Sequence, residues 1–181
     1  HTKGNFPEIE LVARSLSFIN RYTGHTLRPI SVAEHSLLTA LIASHIFGDL
    51  PDRERAEVAL ACLMHDAHEA FTGDISTPLK RILGDTVKQF EAEVERALWV
   101  DYGIECLMDK HAQRVKLCDL TALAIEKRDL LPDSGDWPIL NGIETIPGVQ
   151  LQVSQYPVPA SIAALFVEGY NELQGILAKL S

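Results

Sequence analysis

The chain has 181 residues, 46% hydrophobic and 23% charged, with 25 acidic against 16 basic side chains and a net charge of −9. That length suits a single domain, residues 1–181, with a core of its own. No apolar run reaches the ~18 residues of a membrane span, and the acidic balance argues against a sequence-independent grip on a nucleic-acid polymer or an anionic membrane. Cys62, Cys106 and Cys118 are odd in number and far apart. They predict reduced thiols in a cytoplasmic protein rather than a disulfide framework, and no signal-peptide pattern opens the sequence.

Helical spacing runs through nearly the whole chain. Residues 8–22 place Ile9, Val12, Leu16 and Ile19 on one side, with Gly24 as a stop. Ser31-Val32-Ala33-Glu34 has the form of a capping box, in which the serine caps the helix and the glutamate reaches back. The helix it opens runs to about Phe47, and Pro51-Asp52 opens another that continues toward His68. Residues 78–101 read as one helix with Ile82, Val87, Phe90, Val94, Leu98 and Trp99 on one side. Residues 110–131 and 160–180 complete the pattern, punctuated by Pro132 and Pro159. Between them lies a Pro-, Gly- and Asp-rich segment, 133–158, in which only residues 149–153 alternate as a strand does, so a short hairpin is allowed there. The expected fold is all-α, a helical bundle.

The chemistry is concentrated in Leu63-Met64-His65-Asp66-Ala67-His68-Glu69, where titratable groups follow an apolar helix. His65 and Asp66 diverge by about 100° on a helix but share an edge, and Glu69 lies one turn on. A divalent ion would supply the counter-charge such groups need beside apolar neighbours. Further ligands must then come from other helices. His35, in the first turn after the capping box, and Asp119, in the apolar run Val115 to Leu120, are the candidates. Singly, each has a plain structural reading.

The order His…His-Asp…Asp resembles the HD superfamily of metal-dependent phosphohydrolases. Within it the chain is similar to the small 5'-deoxynucleotidase branch and its bacterial and phage relatives. The shared motifs are Arg21-Tyr22, Val32-Ala33-Glu34-His35-Ser36, His65-Asp66-Ala67-His68-Glu69 and Gly73-Asp74-Ile75-Ser76-Thr77-Pro78. The resemblance covers roughly residues 10–130. It implies an HD-type bundle with His35, His65, Asp66 and Asp119 as ligands to one divalent ion (Co, Mn, Zn, Fe or Ni). His45, His68 and His111 are not placed to hold more.

By the same resemblance, Glu69 would handle proton transfer, or alternatively orient His65. Arg21 would bind phosphate, Tyr22 would pack on sugar or base, and Asp66 and Asp119 would also face the substrate. Asp74, Ile75, Ser76 and Thr77 would meet the ribose edge, unless Asp74 or Thr77 caps a helix. Lys80 is a further phosphate candidate, whereas Glu126 and Arg128 read as structural ion pairs. Tyr22 stands where the best-known relatives carry Trp, which bears on sugar or base selectivity. The implied activity is hydrolysis of 5'-deoxynucleoside monophosphates. Alternatives are a deoxynucleoside triphosphate hydrolase, such as one acting on dATP, or a silent nucleotide-binding scaffold. Relatives form dimers or rings, so a homodimer or larger homo-oligomer is expected.

Overall fold

The structure is a computed structural model and describes residues 6–155 and 157–180. In chain order the helices are α1 (Ile9–Phe18), α2 (Val32–Ile46), α3 (Asp52–Met64), α4 (Glu69–Thr72), α5 (Thr77–Leu83), α6 (Asp85–Asp101), α7 (Glu105–Leu130) and α8 (Pro159–Lys179). Two 3-10 turns, Arg21–Gly24 and Pro138–Leu140, lie between them. Among the described residues there is no strand, only an isolated antiparallel bridge between Asn20 and Ser31. The architecture is all-α, as the periodicity requires.

Helices α2 and α3 pack against each other and both meet α7 and α8, while α1 lies across α8 and α2. The sequence explains the central position of α3. From Ala56 to Met64 every residue is buried, so this half is apolar almost all round, and such a helix needs neighbours on several sides. Leu60, Leu63 and Met64 there join Leu16, Ile42, Leu98 and Phe166 in one core cluster. Truncating any of these to Ala should cost about 2–5 kcal/mol, because little can relax into the gap. At the start of α2, Ser31 Oγ accepts the Glu34 N–H at 3.1 Å, the expected cap. The reciprocal half of the box is replaced: the Glu34 carboxylate takes both guanidinium ends of Arg28, at 2.9 and 2.6 Å.

Other boundaries move for identifiable reasons. The first helix stops at Phe18, not Tyr22, because Arg21 N–H bonds Ile30 O and Val32 N–H bonds Ile19 O, pulling this stretch into a bridge. The expected helix over 78–101 is two helices, parted at Gly84, whose φ of 72° only glycine adopts freely. Its apolar side divides with it: Leu98 is buried, but Ile82 is 82% and Phe90 52% exposed. Helix α7 begins five residues earlier than the pattern suggests, at Glu105. No hairpin forms in residues 149–153. Instead Leu151 N–H donates to Asp129 Oδ2 at 2.7 Å, and Arg128 reaches Val149 O, which ties this loop to the end of α7.

Candidate metal centre and active site

The apolar helix α3 stops at Met64, and His65 to His68 form tight turns before α4 resumes at Glu69. His65 and Asp66 therefore sit at a corner, not along a continuous helix, and the corner points both at α2 and α7. His35 Nε2 lies 3.3 Å from His65 Nε2. Asp66 Oδ2 is 3.2 Å from His65 Nε2 and 3.6 Å from His35 Nε2. Asp119 Oδ1, from α7, is 3.4 Å from His35 Nε2 and 4.0 Å from His65 Nε2. His35, His65 and Asp66 thus offer ligand atoms within 4.8 Å of one another, and Asp119 approaches them from the side of the two imidazoles.

The proton positions decide what that point wants. His65 Nδ1 is 2.7 Å from Cys62 O, and a carbonyl only accepts, so the proton is on Nδ1. His35 Nδ1 is 2.6 Å from Glu126 Oε1, which fixes its proton in the same way. Each neutral ring then turns an Nε2 lone pair inward, toward two carboxylate oxygens. In the neutral form these acceptors face one another and call for positive charge, which either a divalent ion or protons on the imidazoles can supply. Without an ion, the carboxylates draw the protons. Burial opposes charge on His65, yet Asp66 and Asp119 raise its pKa to about 9. Asp66 and Asp119 are held below the ordinary carboxylate range by the two imidazoles, against the effect of burial. Two imidazoles and two carboxylates are a donor set that first-row divalent ions take well, and it leaves coordination positions for solvent and substrate.

Glu126, read from the sequence only as a structural ion pair, also supports the centre. It is wholly buried on α7 and accepts from His35 Nδ1, from the Tyr22 hydroxyl and from Arg21 Nε at 3.3 Å. Burial would raise its pKa, but Arg21 and His35 hold it at about 2. Such an acceptor fixes the tautomer of a ligating imidazole and makes it more basic. Arg21 is buried rather than a surface cation, with its second contact at 3.6 Å on Asp66.

The chain is similar to known proteins. A family model described as YfbR-like 5'-deoxynucleotidase matches residues 10–114. The chain belongs to the YfbR-like family. It is 36% identical over 163 residues to the uncharacterized protein YfdR of Escherichia coli K12, covering 90% of this chain and 82% of that one. It is 32% identical over 126 residues to the 5'-deoxynucleotidase YfbR of Escherichia coli O127:H6, covering 64% of this chain but 61% of YfbR. Among solved structures, the cyanophage S-2L HD phosphohydrolase DatZ superposes with a TM-score of 0.54 at 17% identity, over 98% of this chain and 97% of that one. This likeness shows the HD fold. As a member of the YfbR-like family the chain is a phosphohydrolase.

Of the remaining positions in this family member, some border the centre and others are engaged elsewhere. Glu69 is buried, and its Oε2 has no hydrogen-bond partner among the described residues. Burial, then Asp66 and Asp74, push its pKa up to about 9. The reading in which Glu69 orients His65 gives way to Cys62 O, which already holds that ring. Tyr22 sits in a left-handed turn, with φ 57° followed by 53° at Thr23, and its N–H donates to Asp74 Oδ2 at 3.2 Å. Asp74 is therefore a clamp on this turn, not a helix cap. Ser76 occupies the cap position of α5 without a side-chain bond, and Thr77 is the first helical residue. Ile75 and Ser76 are half-buried and Thr77 is exposed. Lys80 pairs with Glu91 at 3.0 Å. Arg128 pairs with Asp129, as a structural ion pair should. His111 is buried against Glu57, and His45 bonds Leu41 O.

Proposed function

We propose that this chain hydrolyses 5'-deoxynucleoside monophosphates to deoxynucleoside and phosphate, with one divalent ion held by His35, His65, Asp66 and Asp119. The observation that carries this reading is the convergence of two imidazoles and two carboxylates, with each carboxylate oxygen 3.2–4.0 Å from the imidazole Nε2 atoms. An ion bound there supplies Lewis acidity to a phosphoryl oxygen and lowers the pKa of a water. Arg21 lies beside Asp66 and presents a guanidinium fork for the remaining phosphoryl oxygens. Glu69, buried with a free carboxyl oxygen, delivers the proton that the departing sugar oxygen needs. Asp74 holds the turn that carries Tyr22, so the ribose and base would lie on that side, with Ile75, Ser76 and Thr77 at the edge.

Charge favours the monophosphate. Arg21 is shared with Glu126 and Asp66, and Lys80 is engaged by Glu91, so the cations on this side are already paired. A triphosphate would bring negative charge among carboxylates with little to meet it. The family name, and the DatZ structure with its bound dA and one catalytic Zn2+ ion, point to deoxynucleosides and to zinc among the candidate ions. We place the enzyme in the cytoplasm as a homo-oligomer that acts as one domain.

The test is a panel. Chelated protein is reloaded with Zn²⁺, Mn²⁺ or Co²⁺ and given dNMPs, NMPs, dNTPs and cyclic nucleotides, and released phosphates are identified. Phosphate from dNMPs, absent in the Asp66→Ala protein that also fails to take up the ion, is expected. Inorganic triphosphate from dNTPs, or turnover that survives chelation, would sink the reading.

A further inference from the structure

Trp137 lies on the long loop after α7 and is half-buried, yet it does not belong to the core cluster. Its indole N–H donates to Ser134 O at 3.3 Å, within its own loop, so its one polar atom is satisfied and what it offers is a π face. The ring it approaches is Tyr22, at 6.1 Å between centroids and tilted by 46°. Tyr22 in turn is fixed at three points: its N–H on Asp74, its hydroxyl on Glu126, and the Arg21 guanidinium 5.3 Å over its ring. Burial and the Glu126 carboxylate push its phenol pKa well up, so it stays a neutral donor. Two successive non-glycine residues in the left-handed region are an unusual conformation, and such strain persists only where the surroundings enforce it. Here the product of that strain is an aromatic ring joined to His35 through the single side chain of Glu126, and facing a second aromatic ring on a loop.

We propose that Trp137 and Tyr22 form an aromatic shelf that receives the nucleobase of the substrate, so that Trp137 is a specificity-determining residue of this enzyme. The assignment rests on the nucleotide reading above. The loop is placed to hold such a shelf. Arg128 and Asp129 bind Val149 O and Leu151 N–H at its far end, and Arg28 Nε reaches Gln152 O at 2.9 Å. Closer to Trp137, the Pro138–Leu140 turn packs on α7 and Lys127 Nζ lies 5.9 Å from the centre of the indole ring, on one face of it. Because every base has a π face, such a shelf recognises that a base is present more than which base it is.

Two measurements test this. The Trp99→Phe protein leaves Trp137 as the only tryptophan, since the sequence has two. Titrating dNMPs into that protein after chelation should quench its fluorescence, and 2-deoxyribose 5-phosphate should not. Separately, in the metal-loaded enzyme, Trp137→Ala should raise KM for dNMPs about tenfold or more, the loss expected from one stacked base. The ratio of kcat/KM for dNMP to that for 2-deoxyribose 5-phosphate should fall by a similar factor, and Trp137→Phe should restore most of it. An unchanged ratio, or equal losses on both substrates, would overturn the shelf. Quenching without turnover in any metal would keep the shelf and remove the hydrolase reading. Turnover of dNMPs with neither quenching nor a change in the ratio would do the reverse.

Discussion

Replacing Glu126 by Gln probes the support beneath the metal centre. The carboxylate receives three donors, His35 Nδ1–H at 2.6 Å, the Tyr22 hydroxyl, and Arg21 Nε–H at 3.3 Å, with no exposure to water. Glutamine keeps one carbonyl oxygen, enough for His35, but sets an NH2 group against the other two donors. Two hydrogen bonds to a charged acceptor disappear, each worth about 1.5–3 kcal/mol. Arg21 is left with Asp66 at 3.6 Å as its remaining carboxylate. The expected loss of apoprotein stability is about 3–5 kcal/mol, in the range for breaking a buried pair. His35, no longer paired with an anion, becomes a weaker ligand, and divalent-ion affinity should fall about 10- to 100-fold. Urea denaturation of chelated protein and calorimetric titration with Zn²⁺ measure the two effects separately. Wild-type ion affinity together with stability within about 0.5 kcal/mol of the parent, the ordinary range for surface substitutions, would refute this account of Glu126.

The other predictions concern protons. Glu69→Gln should bind the divalent ion as the parent does but lose about 10²- to 10⁴-fold in kcat, the contribution of a positioned acid or base. Loss of ion binding in titration would make Glu69 a ligand instead. Glu57 offers a pH test remote from the chemistry. Burial alone would raise its pKa, but Lys110 at 2.5 Å, His111 at 3.0 Å and Arg53 at 3.1 Å hold it at about 2. A folded pKa below the unfolded value of 4.5 means stability that is present above pH 4.5 and lost as pH falls toward 2. With Lys110 and Arg53 half-exposed, screening leaves about 1–3 kcal/mol. The stability gap between parent and Glu57→Gln, from denaturation at stepped pH, should close across that window. A gap that stays constant from pH 6 to pH 2 would refute the assignment.

Helices whose causes are local were legible in the sequence. The Ser31 cap, the apolar run of α3 and the Pro-led start of α8 are written in adjacent residues, and the structure puts them where the pattern does. What failed depends on distant partners. Nothing near Phe18 announces that Ile30 and Val32 will take the next backbone groups, at Arg21 and Ile19, so periodicity carried the helix four residues too far. Gly84 was different: with Lys80 and Arg81 in the turn before it, the residues spelled a helix C-terminus, and the continuing run of apolar residues overrode that signal.

Glu126 shows how the missing part of the centre could have been found. It follows Asp119 by seven residues on α7, and seven steps of about 100° return almost to the starting face. If Asp119 points at an ion, Glu126 must point the same way two turns on, into surroundings that bury it completely. A buried carboxylate there needs donors, and the donors available on that side are the outer nitrogen of a ligating histidine and the Arg-Tyr turn. The three contacts the structure shows are therefore those that helical geometry and the burial of charge would select once Asp119 is accepted as a ligand. Reading Glu126 only as a structural ion pair, which it does form with Arg21, took the residue by itself. Its role follows from the ligand two turns before it.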